Sequence, residues 1–453
     1  MTLHGEMTDA VTLPSHTLRR ARLSSLIGSV IEWYDFFIYG TAAALVFGHL
    51  FFPNSSPLAG TMASFGTFAI GFVARPLGGI IFGHFGDRLG RRAVLVATLS
   101  VMGLSTCLVG LLPTYTSIGI WAPILLTLLR FAQGVALGGE WGGAVLMVVE
   151  HAPANRRGWH SAWPQMGVPL GLLVATGVIA LVAALSKGHF ETWGWRVPFL
   201  LSIVLVGVGL FIRLTVEETP VFKDMTEKKT VTRYPVLEVM TRNKKRVLLT
   251  IGARFAENGS FFIFSVFSLT YATQHLHVPR YVILGAVVTG AIVTVFTIPL
   301  FGWLSDRFGR RPVFIGGVTF TLLFAFPFFW LLETTQPLLI LLALVLALAI
   351  GWAAMYAPQA AYFSELFEPQ VRYSGMSIGA QLVAIFAGGP SPLIATAGIA
   401  FSGGSSWPIS VWLVLVSVIS LIALMLAPET VGRDLGQRED ADEMGGHRRV
   451  AHA

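Results

Sequence analysis

Ile80 to Arg92 reads IIFGHFGDRLGRR, and Pro299 to Arg311 reads PLFGWLSDRFGRR. Each copy joins two long apolar stretches, so this hydrophobic chain carries one charged turn twice and reads as a duplication. Other acidic positions keep nearly the same interval. Asp87 and Asp306 are 219 residues apart, Glu150 and Glu365 are 215 apart, and Glu218 and Glu429 are 211 apart. Glu150 also precedes Arg157 by the interval at which Glu365 precedes Arg372. Two six-helix halves in parallel orientation account for these offsets. The predicted division is a tail over 1–22, a six-helix bundle over 23–215, a linker over 216–246, a second bundle over 247–427 and a tail over 428–453. The linker is too short to be a domain of its own.

Composition places the chain in lipid. Of 453 residues, 54% are hydrophobic and only 12% are charged, with a mean hydropathy of +0.70, whereas a soluble globule needs far more charge. The fold class is all-α and polytopic. Twelve apolar stretches are long enough, at ~1.5 Å per residue, to cross a ~30 Å hydrocarbon core. They run over Leu23–Phe47, Ala59–His84, Ala93–Leu112, Ile118–Val149, Trp159–Leu185, Val197–Leu214, Val247–Tyr271, Tyr281–Leu304, Val313–Leu332, Leu338–Phe363, Met376–Ala397 and Ile409–Leu426.

Arginine and lysine set the orientation. Arg19, Arg20 and Arg22 precede the first span, Arg88, Arg91 and Arg92 follow the second, Arg156 and Arg157 follow the fourth, and Lys223 through Arg246 fill the middle loop. Arg307, Arg310 and Arg311 follow the eighth span, Arg372 follows the tenth, and Arg433, Arg448 and Arg449 lie in the tail. The alternate loops are nearly uncharged, Lys187 and Arg280 excepted, so the positive-inside rule puts both termini in the cytoplasm. Topology thereby explains the net charge of +7 without invoking nucleic acid. The first apolar run is too long for a signal h-region and contains Glu32 and Asp35, so it stays as the first helix. A single cysteine, Cys107, excludes an intramolecular disulfide and a cysteine metal cluster. With no Walker loop and no zinc-protease motif, neither ATP nor a metal is expected as energy source or cofactor.

The loop pattern Gly83-x-x-x-Asp87-Arg88-x-Gly90-Arg91-Arg92, repeated as Gly302-x-x-x-Asp306-Arg307-x-Gly309-Arg310-Arg311, resembles the loop signature of the major facilitator superfamily. Arg130-Phe-Ala-Gln133-Gly134 resembles a second signature of that superfamily, one associated with proton-coupled members. Within it, Glu32-Trp-Tyr-Asp35-Phe, Ala74-Arg75-Pro76-Leu-Gly-Gly79, Gly139-Glu140-Trp141-Gly142-Gly143 and Trp193-Gly-Trp195-Arg196-Val-Pro198-Phe resemble the metabolite:proton symporters, a group that includes shikimate, α-ketoglutarate, citrate and proline/betaine transporters. The likeness spans Leu23 to Thr430. It implies alternating access and symport in a bacterial cytoplasmic membrane. Gly167-Val-Pro169-Leu-Gly171 is a poor match to the fifth-span pattern of many antiporters of the superfamily, which favours symport.

Charges inside the spans point the same way. Each costs roughly 2.5–3.5 kcal/mol on insertion scales and needs a partner or a watery cavity. Glu32 and Asp35 share a helix face at i, i+3, and with Arg75 and Glu140 at comparable depth they are read as one buried cluster, with Arg130 further out. These five form the proton-coupling set. Protonation of Asp35 or Glu32 would release an arginine, foremost Arg75. Arg254 and Arg130 are then the leading groups for bidentate capture of a substrate carboxylate, with Gln133, Gln165, Asn258, Tyr356 and Gln359 as second-rank contacts. The halves offer an acidic and a basic lobe to one cavity. The alternative is that Arg75–Asp35 and Arg130–Glu140 are structural pairs that hold helices together.

A gate is expected at the basic loops. Asp87 and Asp306 should cap the helices that follow them, Arg91 and Arg92 should reach Glu150, and Arg310 and Arg311 should reach Glu365, with Arg88 and Arg307 in the same turns. The resemblance implies that these bridges hold the cytoplasmic side shut. Gly134, Gly138, Gly139, Gly142, Gly167 and Gly171 read as close helix contacts rather than a phosphate loop. The favoured function is proton symport of a small organic acid by a monomer; a symporter of a zwitterionic osmolyte and a transport-inactive receptor remain as alternatives. A short tail after Thr430 without heptads weighs against the osmolyte carriers that end in a coiled coil.

Overall fold

A computed structural model of the chain describes residues 15–435 apart from Lys187. Expectations for Lys187, for Arg448 and Arg449, and for residues 1–14 and 436–453 of the two tails lie outside the described residues. Twelve helices are long and apolar enough to cross a membrane: α1 Thr17–Phe51, α2 Ala59–Leu89, α3 Arg91–Leu111, α4 Trp121–Val149, α5 Ala154–Leu185, α6 Arg196–Leu214, α7 Lys244–His275, α8 Arg280–Phe308, α9 Arg310–Glu333, α10 Pro337–Leu366, α11 Pro369–Phe401 and α12 Trp407–Leu426. Most run a turn or so past their apolar stretch, as α7 does from Lys244 and α11 from Pro369. Hydropathy marks where lipid begins, while the hydrogen-bond ladder continues until a proline, glycine or cap stops it. Two short helices, Pro220–Glu227 and Pro235–Arg242, occupy the segment between the halves.

The charged turn that organises the sequence is a tight corner. Gly90 and Gly309 take φ of 100° and 103°, a region that side chains with a Cβ avoid, which lets α2 turn at once into α3 and α8 into α9. Small residues then let helices close up. A Cβ built on Gly134 of α4 would lie 2.8 Å from the Ala74 Cβ of α2, so that pair packs backbone to backbone. Much of the remaining lipid-side surface is apolar, with Phe211, Phe296 and Leu323 about 70% exposed, as a bilayer solvent permits. Polar and charged side chains, by contrast, gather between the helices.

Candidate functional site

At the face carrying the basic loops, the two halves are tied by a pseudo-symmetric network. Asp87, at the end of α2, accepts hydrogen bonds from the Tyr373 and Ser374 amides at 3.1 and 2.9 Å, inside the first turn of the main helix of α11. Asp306, at the end of α8, accepts from the Gly158 and Trp159 amides of α5 at 2.8 and 2.7 Å. Each aspartate therefore caps a helix of the opposite half, where amides without an intrahelical partner meet a negative charge. This corrects the expectation that they cap α3 and α9. Those starts are capped instead by Glu218, which accepts from the Arg91 and Arg92 amides at 3.1 Å each, and by Glu429, which accepts from Arg310 and Arg311 at 3.0 Å each. The φ of the intervening glycine carries each aspartate away from the helix that follows it.

The side-chain bridges cross in the same manner. Glu150 Oε1 lies 3.2 Å from Arg91 Nη2 of its own half and 3.3 Å from Arg372 Nη1 of the other. Glu365 lies 3.2 Å from Arg310 Nε and 3.6 Å from Arg157 Nη1 of the other half. Burial pushes the Glu150 carboxyl up, but Arg91 and Arg372 together outweigh burial and hold it below the usual glutamate range. Arg92 and Arg311 do not reach these glutamates; they donate to the Leu214 and Met425 carbonyls at 2.6 and 3.0 Å. Arg88 and Arg307 are exposed beside the network. Both inter-half arginines also hold the chain after α12, Arg157 through the Arg433 carbonyl and Arg372 through the Leu435 carbonyl at 2.9 Å.

Midway along the helices the charges separate into distinct groups. Asp35 accepts from the Thr106 hydroxyl at 2.8 Å and the Ser202 hydroxyl at 2.6 Å. Thr106 in turn accepts from Gln133 Nε2 at 2.7 Å, and Gln133 Oε1 accepts from Arg130 Nη1 at 3.1 Å. Arg130 is enclosed by the rings of Tyr39, Phe68 and Phe36 at 4.3, 4.7 and 5.2 Å. Glu140 has a different partner altogether. It forms a buried ion pair with Arg213 of α6 and accepts from Thr98 of α3, so the alternative of an Arg130–Glu140 structural pair does not hold, while Glu140 stays within electrostatic range of Glu32. Asp35 makes no ion pair with Arg75 among the described residues, so the other structural pair offered as the alternative does not hold either.

Arg75 is the group left over. It is 7% exposed, its Nε and Nη2 have no hydrogen-bond partner, and its guanidinium lies 4.6 Å from the centre of the Phe72 ring, 5.1 Å from Phe36 and 5.9 Å from Trp33. Glu32, 3% exposed, is within electrostatic range of Glu140 and of Arg75, Arg213 and Arg254 but makes no hydrogen bond or ion pair among the described residues. In the other half, Arg254 Nε donates to Glu257 at 2.9 Å and Nη1 to the Ala380 carbonyl at 3.1 Å, while the guanidinium covers Trp141 at 4.7 Å. Glu257 also accepts from Asn258 Nδ2 at 3.0 Å and Trp352 Nε1 at 3.1 Å. Arg254 is thus already neutralised, and each half carries both signs of charge instead of one acidic and one basic lobe.

Rings and amides close the space between the halves. Trp33 meets Phe261 at 6.2 Å and Phe72 meets Phe262 at 5.3 Å, while Trp352 stacks on Tyr356 at 4.4 Å. Gln165 accepts from Trp141 Nε1 at 2.8 Å and donates to the Tyr356 carbonyl at 2.7 Å. Gln359 is fully buried with neither end of its amide partnered. Sequence reasoning missed Arg213, Thr106 and Ser202, and gave no role to Glu257. One signal for two of these was available: Ser202, Val206, Gly209 and Arg213 recur at helical spacing and form the buried stripe of α6.

Twelve membrane-length helices in two similar halves, around buried charges and behind a duplicated gate-like network, define a polytopic membrane transporter rather than an enzyme. A family model described as Major Facilitator Superfamily matches residues 25–392. The chain is 41% identical over 432 residues to the shikimate transporter of Escherichia coli (strain K12), covering 95% of this chain and 99% of that one. It is 33% identical over 442 residues to the glycine betaine/proline/ectoine/pipecolic acid transporter OusA of Dickeya dadantii (strain 3937), covering 95% and 87%. Among solved structures, the proton:xylose symporter XylE bound to 6-bromo-6-deoxy-D-glucose superposes with a TM-score of 0.75 at 16% identity, over 93% of this chain and 98% of that one. The chain belongs to the major facilitator superfamily.

Proposed function

We propose that this transporter carries a small organic acid together with protons, by alternating access, into the cytoplasm across the bacterial inner membrane. The observation that carries the reading is Arg75, a cation more than nine-tenths buried with two donors unpartnered, beside the unpaired Glu32. A buried guanidinium without an acceptor is costly, and a substrate carboxylate supplies what it lacks. Proton uptake by Glu32 or Asp35 removes a negative charge from the cavity, so the anion enters a site of net positive charge, and binding of both ligands favours one state. Arg75 thereby replaces Arg254 and Arg130 as the first anion contact, and Gln359, whose buried amide has no partner, is a further candidate contact for the rest of the molecule.

In this reading the basic face is cytoplasmic, by the positive-inside rule, and its bridges hold the outward-facing state closed below the substrate. The bundles over 23–215 and 247–427 rock about the central site, joined by 216–246, with tails over 1–22 and 428–453 in the cytoplasm and one chain sufficient for transport. Relatives named for betaine and proline keep a zwitterion reading in view, since aromatic rings bind quaternary ammonium groups. Here, however, Trp33, Phe36 and Phe72 already face a guanidinium. Uptake of labelled shikimate, α-ketoglutarate, citrate, proline and betaine into proteoliposomes, with and without an inward proton gradient, tests the proposal. Acid uptake that collapses with a protonophore supports it, uptake of zwitterions alone refutes it, and absence of any flux favours a receptor.

A further inference from the structure

We propose that the Thr106 hydroxyl is a two-way hydrogen-bond switch that reads the protonation state of Asp35 and passes it, through Gln133, to Arg130. The inference rests on the reading of Asp35 as a proton site. Arginine only donates, so the 3.1 Å contact with Arg130 fixes Oε1 of Gln133 toward α4's own cation and Nε2 toward Thr106. Thr106 therefore accepts from Gln133 at 2.7 Å, and its single hydrogen has two acceptors available, Asp35 Oδ2 at 2.8 Å and the Met102 carbonyl at 2.9 Å. Three neighbours at hydrogen-bond distance around one fully buried hydroxyl leave its proton one choice to make.

The charge on Asp35 makes that choice. While Asp35 is a carboxylate, Thr106 donates to it, and Ser202 donates to the other oxygen. When a proton arrives on Oδ2, the carboxyl O–H donates to the second lone pair of Thr106, whose own hydrogen turns to the Met102 carbonyl. Both states leave Asp35, Thr106 and Gln133 paired, so protonation proceeds without breaking helix packing. What changes is the oxygen that Gln133 sees. A hydroxyl that donates to a carboxylate is a stronger acceptor than one that donates to a carbonyl and accepts a second bond. Gln133 accordingly holds Arg130 firmly in the charged state and loosely in the neutral one. The Nε of Arg130 has no partner, which leaves it free to rearrange. Ionisable groups near Asp35 are Arg130 on α4, Tyr34 on its own helix and Cys107 on α3, and none of these replaces the Thr106 contact.

The test needs no knowledge of the substrate. Infrared difference spectra of the full chain in lipid, titrated with acid alone, follow the carboxyl C=O band that disappears in Asp35→Asn. Thr106→Val removes the donor to the charged form, so the midpoint of that band moves up by about one pH unit, a tenfold gain in proton affinity. Thr106→Ser restores the wild-type midpoint. Gln133→Leu cuts the chain one link further on and moves the midpoint in the same direction, which keeps the test open if Thr106→Val does not fold. Unchanged midpoints in these variants, with the Asp35 band present, overturn the switch and leave the Asp35 reading standing. Absence of any titrating band that depends on Asp35 overturns both.

Discussion

Replacing Asp87 by Asn removes one charge that the other half of the molecule depends on. Its carboxylate takes two amide hydrogen bonds from α11, at 3.1 and 2.9 Å, and faces Arg91 Nη1 at 3.5 Å. A hydrogen bond to a charged group is worth about 1.5–3 kcal/mol net. Asn keeps one acceptor and turns its NH2 toward the second amide or toward Arg91, so one bond is lost and the remaining one weakens. When the basic face opens, Asp87 gains water, which offsets part of that loss. The net shift toward opening is about 2–3 kcal/mol, or about 30- to 150-fold in the closed-to-open ratio. Asp306→Asn acts in the same sense and at least as strongly, because its amide bonds are shorter and Arg310 lies 2.6 Å away. Spin labels at Leu89 and Phe308, exposed and 219 positions apart in the repeat, report the separation of the halves by electron–electron distance measurement. The background is simple, since Cys107→Ser leaves no other cysteine. A longer-distance population should appear in both variants. Unchanged distance distributions in both would refute the claim that these aspartates hold the face shut.

Arg75→Lys keeps the charge but loses the planar fork, so we expect substrate affinity to fall about tenfold or more, read as a rise in the half-saturation concentration of uptake; an unchanged value assigns the anion elsewhere. Glu257→Gln frees Arg254 from its carboxylate, and a second anion contact should tighten binding while slowing release, seen as a lower half-saturation concentration with a lower maximal rate; unaltered kinetics make the pair purely structural. Glu150 is held below its ordinary value of 4.5, so its contribution to closure is fully present above that value and is lost only as pH falls through the depressed one. Any change in the spin-label distances between about pH 5 and 8 should therefore be the same in Glu150→Gln as in the wild type, and a transition in that window that the variant abolishes contradicts the assignment.

The duplicated turn, the twelve apolar stretches and the glycine corners were legible because each is a local property of the chain: length, hydropathy, or a φ that only glycine adopts readily. Partner choice was not. Asp87 lies in sequence next to α3 and caps α11, and Arg372 serves Glu150 rather than the nearer Glu365, because helix ends from opposite halves meet at one face. Depth alone grouped Asp35, Arg75 and Glu140, yet rotation about the helix axes sends them to different neighbours. Arg213 went unread at a span end, although the buried stripe of α6 runs directly to it. Arg254 and Glu257, three residues apart on one helix, were close enough to be recognised as a pair from sequence.

The central claim is that an organic acid and a proton cross together, with Asp35 as a proton site. In liposomes with no imposed gradient, addition of whichever organic acid the uptake panel shows to be carried should make the external medium more alkaline as protons follow the anion inward, and Asp35→Asn should abolish that signal while binding persists. Entry of that acid with no movement of protons would contradict the account.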